Sequence, residues 1–289
     1  MTGKRIFKFV PAALLVVFLI GCEVSFFVAF NEGTSKLFVR VTDAKPALPH
    51  GVEAVLITFE EFFVHKEGGK WYSLPLLQTP YSVDLLKFQT GRTTTLVQPA
   101  SLASGIYDRI RVLIGGAAVL RDDRFYAVAI PSGKLVIEKG YSFNLEDGRT
   151  MDLTVDFDLS QSLATTGSQS DCSYELNPVL HINHTEEAAT IRGEIGPETF
   201  VEHGTTEAMV TVIIDKDFSG GLSTGDEEYT RIVVVEGDPA FSIFWLVPEQ
   251  GYTVQIEMDA SGPPVFEQFI FPADLQKGDT FELNFGSLI

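Results

Sequence analysis

Cysteine is nearly absent. Two cysteines in 289 residues, Cys22 and Cys172, offer no disulfide framework, so the fold must rest on buried apolar surface, which a chain of this length can supply. Sustained helical periodicity is missing too. After Ser35 no apolar segment keeps a 3.6-residue period for three turns, and the only helical candidate is the short run "SVDLLKFQ", Ser82 to Gln89. Positive charge is scarce: 21 lysines and arginines stand against 39 acidic residues, a formal net charge of −18. Lys4, Arg5 and Lys8 cluster at the N-terminus, so without them the balance is −18 − 3 = −21. From Thr190 to Ile289 there are 18 acidic and 4 basic residues, so 4 − 18 = −14 of that charge lies in the last third. Such a surface repels nucleic-acid phosphates and anionic headgroups and attracts divalent cations. Nucleic acid is therefore not an expected partner.

What is present is strand and turn chemistry. "GYTVQIEM" alternates Tyr252, Val254, Ile256 and Met258 against Thr253, Gln255 and Glu257, and "DTFELNFG" does the same with Phe281, Leu283 and Phe285. Val, Ile, Thr, Phe and Tyr fill such runs, and Gly, Pro, Asp and Ser punctuate them. "FNLEDGRTMDLTVDFDL" holds Asp147-Gly148 between two alternating runs, a hairpin signal. The expected fold class is all-β. In "NHTEEAATIRGEI" a polar, acidic stretch separates a strand ending at Ile182 from one starting at Thr190, which divides the chain into two β-sandwich domains in tandem, 36–184 and 190–289. The second has about seven short strand candidates, the count of an immunoglobulin-like or prealbumin-like sandwich.

The N-terminus sets the compartment. Lys4, Arg5 and Lys8 precede an apolar run from Phe9 to Ile20, too short for a permanent membrane helix of about 20 residues and right for a secretory signal. The run closes on "LIGC", which resembles the lipobox of bacterial lipoproteins. The resemblance implies cleavage after Gly21, a signal peptide over 1–21 and a diacylglyceryl group on Cys22. Residues 22–35 would then form a lipidated tether whose "FFVAF" portion packs on the first domain or lies near the lipid. Export and lipid anchoring to the envelope, at the outer membrane or cell surface, follow as expectations. With Cys22 consumed, Cys172 in "SDCSYEL" has no neighbouring cation or histidine to favour a thiolate and reads as structural.

Two further resemblances concern the domains. "LFVRVTDAKPA", the long strand "EAVLITFEEFFVHKEGGKWYSL", "VDLLKF", "LASGIYDRIRVLI" and "VDFDLSQSL...YELNPVLHI" follow in the order of the domain of unknown function 4382, found in prokaryotic envelope lipoproteins. That resemblance implies an all-β envelope domain and carries no activity. "TIRGEI", "AFSIFWLVPEQGYTVQIEM" and a closing strand resemble a carboxypeptidase-regulatory-like or prealbumin-like sandwich, whose members act as spacers, stiffeners or adhesive modules.

Chemistry concentrates in "DKDFSGGLSTGDEE", Asp215 to Glu228. Gly221-Leu222-Ser223-Thr224-Gly225 has the G-x-S-x-G spacing of a nucleophile elbow, but a strand-like run follows it instead of a helix, and no histidine lies beyond Ser223. The same stretch places Asp215, Asp217, Ser219, Gly220 and Asp226 at positions one, three, five, six and twelve of a calcium loop. Asp215, Asp217 and Ser219 would offer side-chain oxygens, Gly221 a carbonyl, and Ser223 a ligand through water. Asp226 or, by a one-residue shift, Glu227 would close the shell. Ca2+ is the expected ion.

Weaker candidates remain. Asp152, Asp156 and Asp158 share one face of a strand, a spacing that could serve a glycoside hydrolase, but reads first as a solvated face opposite Leu153, Val155 and Phe157. His181 and His184 fall on opposite faces and make no metal pair. Trp71 and Trp245 could stack on sugars but sit in strand patterns and read as core. The expected function is a non-enzymatic, lipid-anchored scaffold or recognition protein of the envelope. Its partners would be the membrane, through the lipid, and other envelope proteins or glycans; a glycan-binding subunit of an uptake system is the main alternative.

Overall fold

A strand with apolar residues at every second position buries one face and pairs along its edges, and this pattern generates nearly every element of the chain. The structure is a computed structural model that describes residues 33–285 apart from 44, 45, 47, 49, 50, 131–133, 169, 170, 220–222 and 259–261. The strands of its N-terminal half are β1 (Thr34–Thr42), β2 (Val52–Lys66), β3 (Trp71–Leu74), β4 (Tyr81–Asp84), β5 (Thr94–Ala103), β6 (Gly105–Arg121), β7 (Arg124–Ala129), β8 (Leu135–Leu145), β9 (Thr150–Phe157), β10 (Leu163–Ser168), β11 (Asp171–Leu176) and β12 (Leu180–His184). Those of the C-terminal half are β13 (Ala189–Ile195), β14 (Glu207–Ile214), β15 (Glu227–Val235), β16 (Ala240–Leu246), β17 (Tyr252–Glu257), β18 (Phe266–Ile270) and β19 (Thr280–Phe285). Two short helices, α1 (Leu159–Ser162) and α2 (Pro197–His203), interrupt them.

The N-terminal half has a sheet ordered β12-β9-β1-β5 and a larger sheet ordered β10-β11-β7-β6-β2-β3, with β4 on β2 and β8 on β6. Leu37, Leu153 and Val155 of the smaller sheet and Ile57, Ile110 and Val112 of the larger share one buried cluster. In the C-terminal half the sheets are β16-β13-β19 and β15-β14-β17-β18, and Ile191, Ile243 and Leu283 of one share a second cluster with Val210, Ile232 and Val254 of the other. The break between the clusters falls between Ile182 and Ala189, yet Gly33–Ile289 forms one compact unit.

Polar contacts to the edge of the C-terminal half join the two clusters. The Gln161 side chain donates to the Tyr229 carbonyl at 2.7 Å, and the Asn183 amide donates to the Trp245 carbonyl, which also accepts the Tyr229 hydroxyl at 3.0 Å. The His181 ring stands 4.1 Å from that of Tyr229. Phe244 lies so close to Gly91 that a Cβ there would come within 2.9 Å of its ring, which reserves the position for glycine.

Several local expectations are corrected. Asp147-Gly148 does turn the chain, but β8 pairs with β6 while β9 pairs with β1 and β12; the turn carries the chain between sheets. The Ser82–Gln89 run is the end of β4 plus one 3-10 turn, Leu85–Lys87, because Val83 and Leu85 are both drawn into the core. The stretch read as one long strand is β2 and β3, paired antiparallel. α2 went unread: its seven residues are too few for a periodic signal, though Pro197 at its start and Gly204 at its end are helix-boundary chemistry. β1 begins at Thr34, inside the expected tether, with Thr34 and Ser35 paired to Ala103 and Leu102. The signal peptide, Cys22 and 22–32 lie outside the described residues, as does the side chain of Cys172. Among the described residues no helix is long and apolar enough to cross a membrane.

Candidate functional site

The acidic loop is the connection of a hairpin. β14 and β15 pair antiparallel with Ile214 opposite Glu227, so the two ends of the segment, Asp215 and Asp226, arrive side by side. Asp215 is fully buried, and its N–H donates to the Gly251 carbonyl at 3.1 Å, which fixes the loop's entry against β17. One ligand oxygen each from Asp215, Asp217 and Asp226 lies within 4.8 Å of the others.

Backbone and hydroxyl donors hold these carboxylates. Ser219 N–H donates to Oδ1 of Asp215 at 3.2 Å and of Asp217 at 3.1 Å. Lys216 N–H reaches Asp226 Oδ1 at 3.1 Å, and Ser223 N–H reaches its Oδ2 at 2.6 Å. Hydrogen bonds from the side chains of Ser219 and Ser223 keep the Asp217 carboxyl below the usual range. The Lys216 ammonium is turned to Glu227 at 2.7 Å, which ties up the alternative position-twelve ligand. An all-oxygen donor set of this kind fits a hard cation. Asp226 departs from the ideal: each of its oxygens already accepts a backbone N–H. Gly220, Gly221 and Leu222 lie outside the described residues. Ser223 is followed by β15, not a helix, so the elbow has no structural support.

The other candidates separate. Asp152, Asp156 and Asp158 do not form a solvated face: Asp156 and Asp158 are 2% and 1% exposed. The C-terminal half of the chain covers that side, so β9 is buried on both faces near its end. Asp152 is paired with Arg40 at 2.6 Å. Asp158 caps α1 by accepting from Gln161 N–H at 3.0 Å. Asp156 borders a small cavity with Asp43, Gly91 and Trp245.

Neither tryptophan is core; both are half-buried. Trp71 stands on the short edge strand β3, covered by the Arg111 guanidinium at 4.0 Å and beside His65 at 5.0 Å. Arg111 and Arg109 in turn hold Glu138, and His65 meets Asp108 at 2.6 Å. Sequence reading missed this cluster, whose members come from β2, β3, β6 and β8 and meet only through the sheet register. It also missed Asp43, 2% exposed, whose carboxyl is pushed well above its ordinary range by burial and by Asp156.

The fold is that of an all-β protein, whose described residues form four sheets around two buried clusters. Residues 34–178 match the family described as "Domain of unknown function (DUF4382)", just over half of the chain, and the chain belongs to that family. No curated protein matches it. Among solved structures, the Bacillus anthracis TIE protein aligns over 88% of this chain and 34% of its own, at 10% identity and a TM-score of 0.23. The chain thus spans about a third of that protein's length. The fimbrial anchor protein Mfa2 from Porphyromonas gingivalis aligns over 86% and 90%, at 10% identity and a TM-score of 0.19. At those scores neither likeness bears on what this chain does.

Proposed function

We propose that this chain is a cell-envelope protein tethered by lipid on Cys22 and is not an enzyme. Its role is that of a scaffold that presents its sheets to other envelope components, and Ca2+ at the 215–226 loop stiffens its C-terminal half. The observation that carries the scaffold reading is the seam. Gln161 and Asn183 satisfy the Tyr229 and Trp245 carbonyls across it, and the Tyr229 hydroxyl steadies the Trp245 carbonyl from within the C-terminal half, so the two halves are fixed in one unit. The loop supports the calcium reading through three converging carboxylates in the most acidic third of the chain.

Calcium titrated against thermal unfolding of the full chain tests the metal. Stabilisation should set in at about 0.1–1 mM, and the Asp215→Ala variant should give none. No rise in the parent's melting temperature at several millimolar calcium, with Asp215→Ala equally unresponsive, would remove the ion from the account.

One observation favours glycan recognition as a second reading. A cleft of about 450 Å³ beside β8 and the turn after β12 sets Tyr141 and Met151 among Asn144, Arg149, His184 and Glu186. A sugar ring takes that mixture of an aromatic face and polar groups.

A further inference from the structure

A two-sheet unit has two open sides, where the edge strands of both sheets end in unpaired backbone groups. In the C-terminal half these are β15 with β16 and β18 with β19. The first side is closed by the N-terminal half, through Gln161 on Tyr229, Asn183 on Trp245 and Phe244 against Gly91. The second has no such cover among the described residues. Among the described residues no strand pairs with the outer edge of β18 or β19. A groove of about 340 Å³ runs between them, lined by Phe266, Phe281, Leu283 and Phe285 and rimmed by the exposed Glu267 and Glu282. Phe266 and Phe281 are only half-buried there, with the Phe266 and Phe285 rings 5.6 Å apart.

Devices that keep an edge from pairing are few here. Neither strand contains Pro or Lys, and neither shows a bulge in its register. Their charges are all negative, so a second copy of this acidic chain would meet Glu with Glu. We propose that this side is a docking site for one extended segment of a partner protein. That segment is apolar at alternate positions, to fill the groove, and carries Lys or Arg at the others, to face Glu267 and Glu282. Backbone pairing would supply affinity and the rim would select the sign of charge. The inference rests on the scaffold reading and makes the C-terminal end the one that receives the next component.

Three synthetic peptides of about seven residues, the length of a strand, test this against the full chain by calorimetry: alternating Val and Lys, alternating Val and Glu, and the Val-Lys peptide with N-methylated amides that cannot donate. The Val-Lys peptide should bind and protect β18 and β19 amides from hydrogen exchange, with each of the others at least about tenfold weaker. The variant Glu282→Lys, at an exposed position, should fold unchanged and shift its preference toward the Val-Glu peptide; Glu267 is left in place because its carboxylate accepts from the Gln255 amide at 2.7 Å. Equal binding of the N-methylated peptide would reduce the effect to charge attraction and overturn the proposal. So would protection elsewhere, or no binding by any peptide. A chain that fails here yet still unfolds as a single unit keeps its scaffold role and loses only this docking site.

Discussion

Replacing Gln161 by alanine tests whether the seam couples the two halves. Its side-chain nitrogen donates to the Tyr229 carbonyl at 2.7 Å and to Asp158 Oδ2 at 3.0 Å. The substitution leaves a carbonyl at the edge of β15 without its donor, at a cost of about 1–3 kcal/mol. If the halves unfold together, the shift spreads over the whole unit and amounts to about 2–4 °C per kcal/mol. If the weakened seam lets them unfold separately, the C-terminal half shifts by about 4–8 °C per kcal/mol and calorimetry resolves a second transition. Either outcome places the coupling at Gln161. A variant that melts with the parent's midpoint in a single transition would refute the reasoning, because the seam would then contribute nothing measurable.

Two further predictions follow from buried contacts. Asp43 is held protonated to higher pH in the fold than in the unfolded chain. The folded state therefore retains a proton that the unfolded state has lost, and stability falls as pH rises from about 3.9 toward the raised folded value. Asp43→Asn should flatten that slope in pH-dependent melting; an unchanged slope would assign it to other groups. At Gly193 a Cβ would come within 2.4 Å of the Phe241 ring, which stacks on Phe285 at 6.1 Å. Gly193→Val should destabilise the second cluster by about 1–3 kcal/mol in chemical denaturation, and a smaller loss would mean that Phe241 has room to move.

Alternation made the strands legible, since in "GYTVQIEM" and "DTFELNFG" the period of two follows directly from burying one face. Pairing was less legible. Asp147-Gly148 specifies a reversal but not a partner, and β8 and β9 each find a better one in opposite sheets. Polarity on the second face of β9 suggested solvent, but the residues that cover it come from about ninety positions downstream, at Ser242 to Trp245. The loop carboxylates were readable by spacing, and their convergence follows from the β14–β15 register. Gln161 and Asn183 carried no signal: a side chain that caps a distant carbonyl leaves no periodicity behind it. Nor did the cluster around Trp71, whose partners are brought together only when four strands pair.

The tether tests the account most directly. Cells expressing the parent and the Cys22→Ala variant are fractionated, and the protein is followed by detergent phase partitioning. The account predicts that the parent stays with the membranes and enters the detergent phase, while the variant is released into the aqueous phase. Identical partitioning of the two would contradict it.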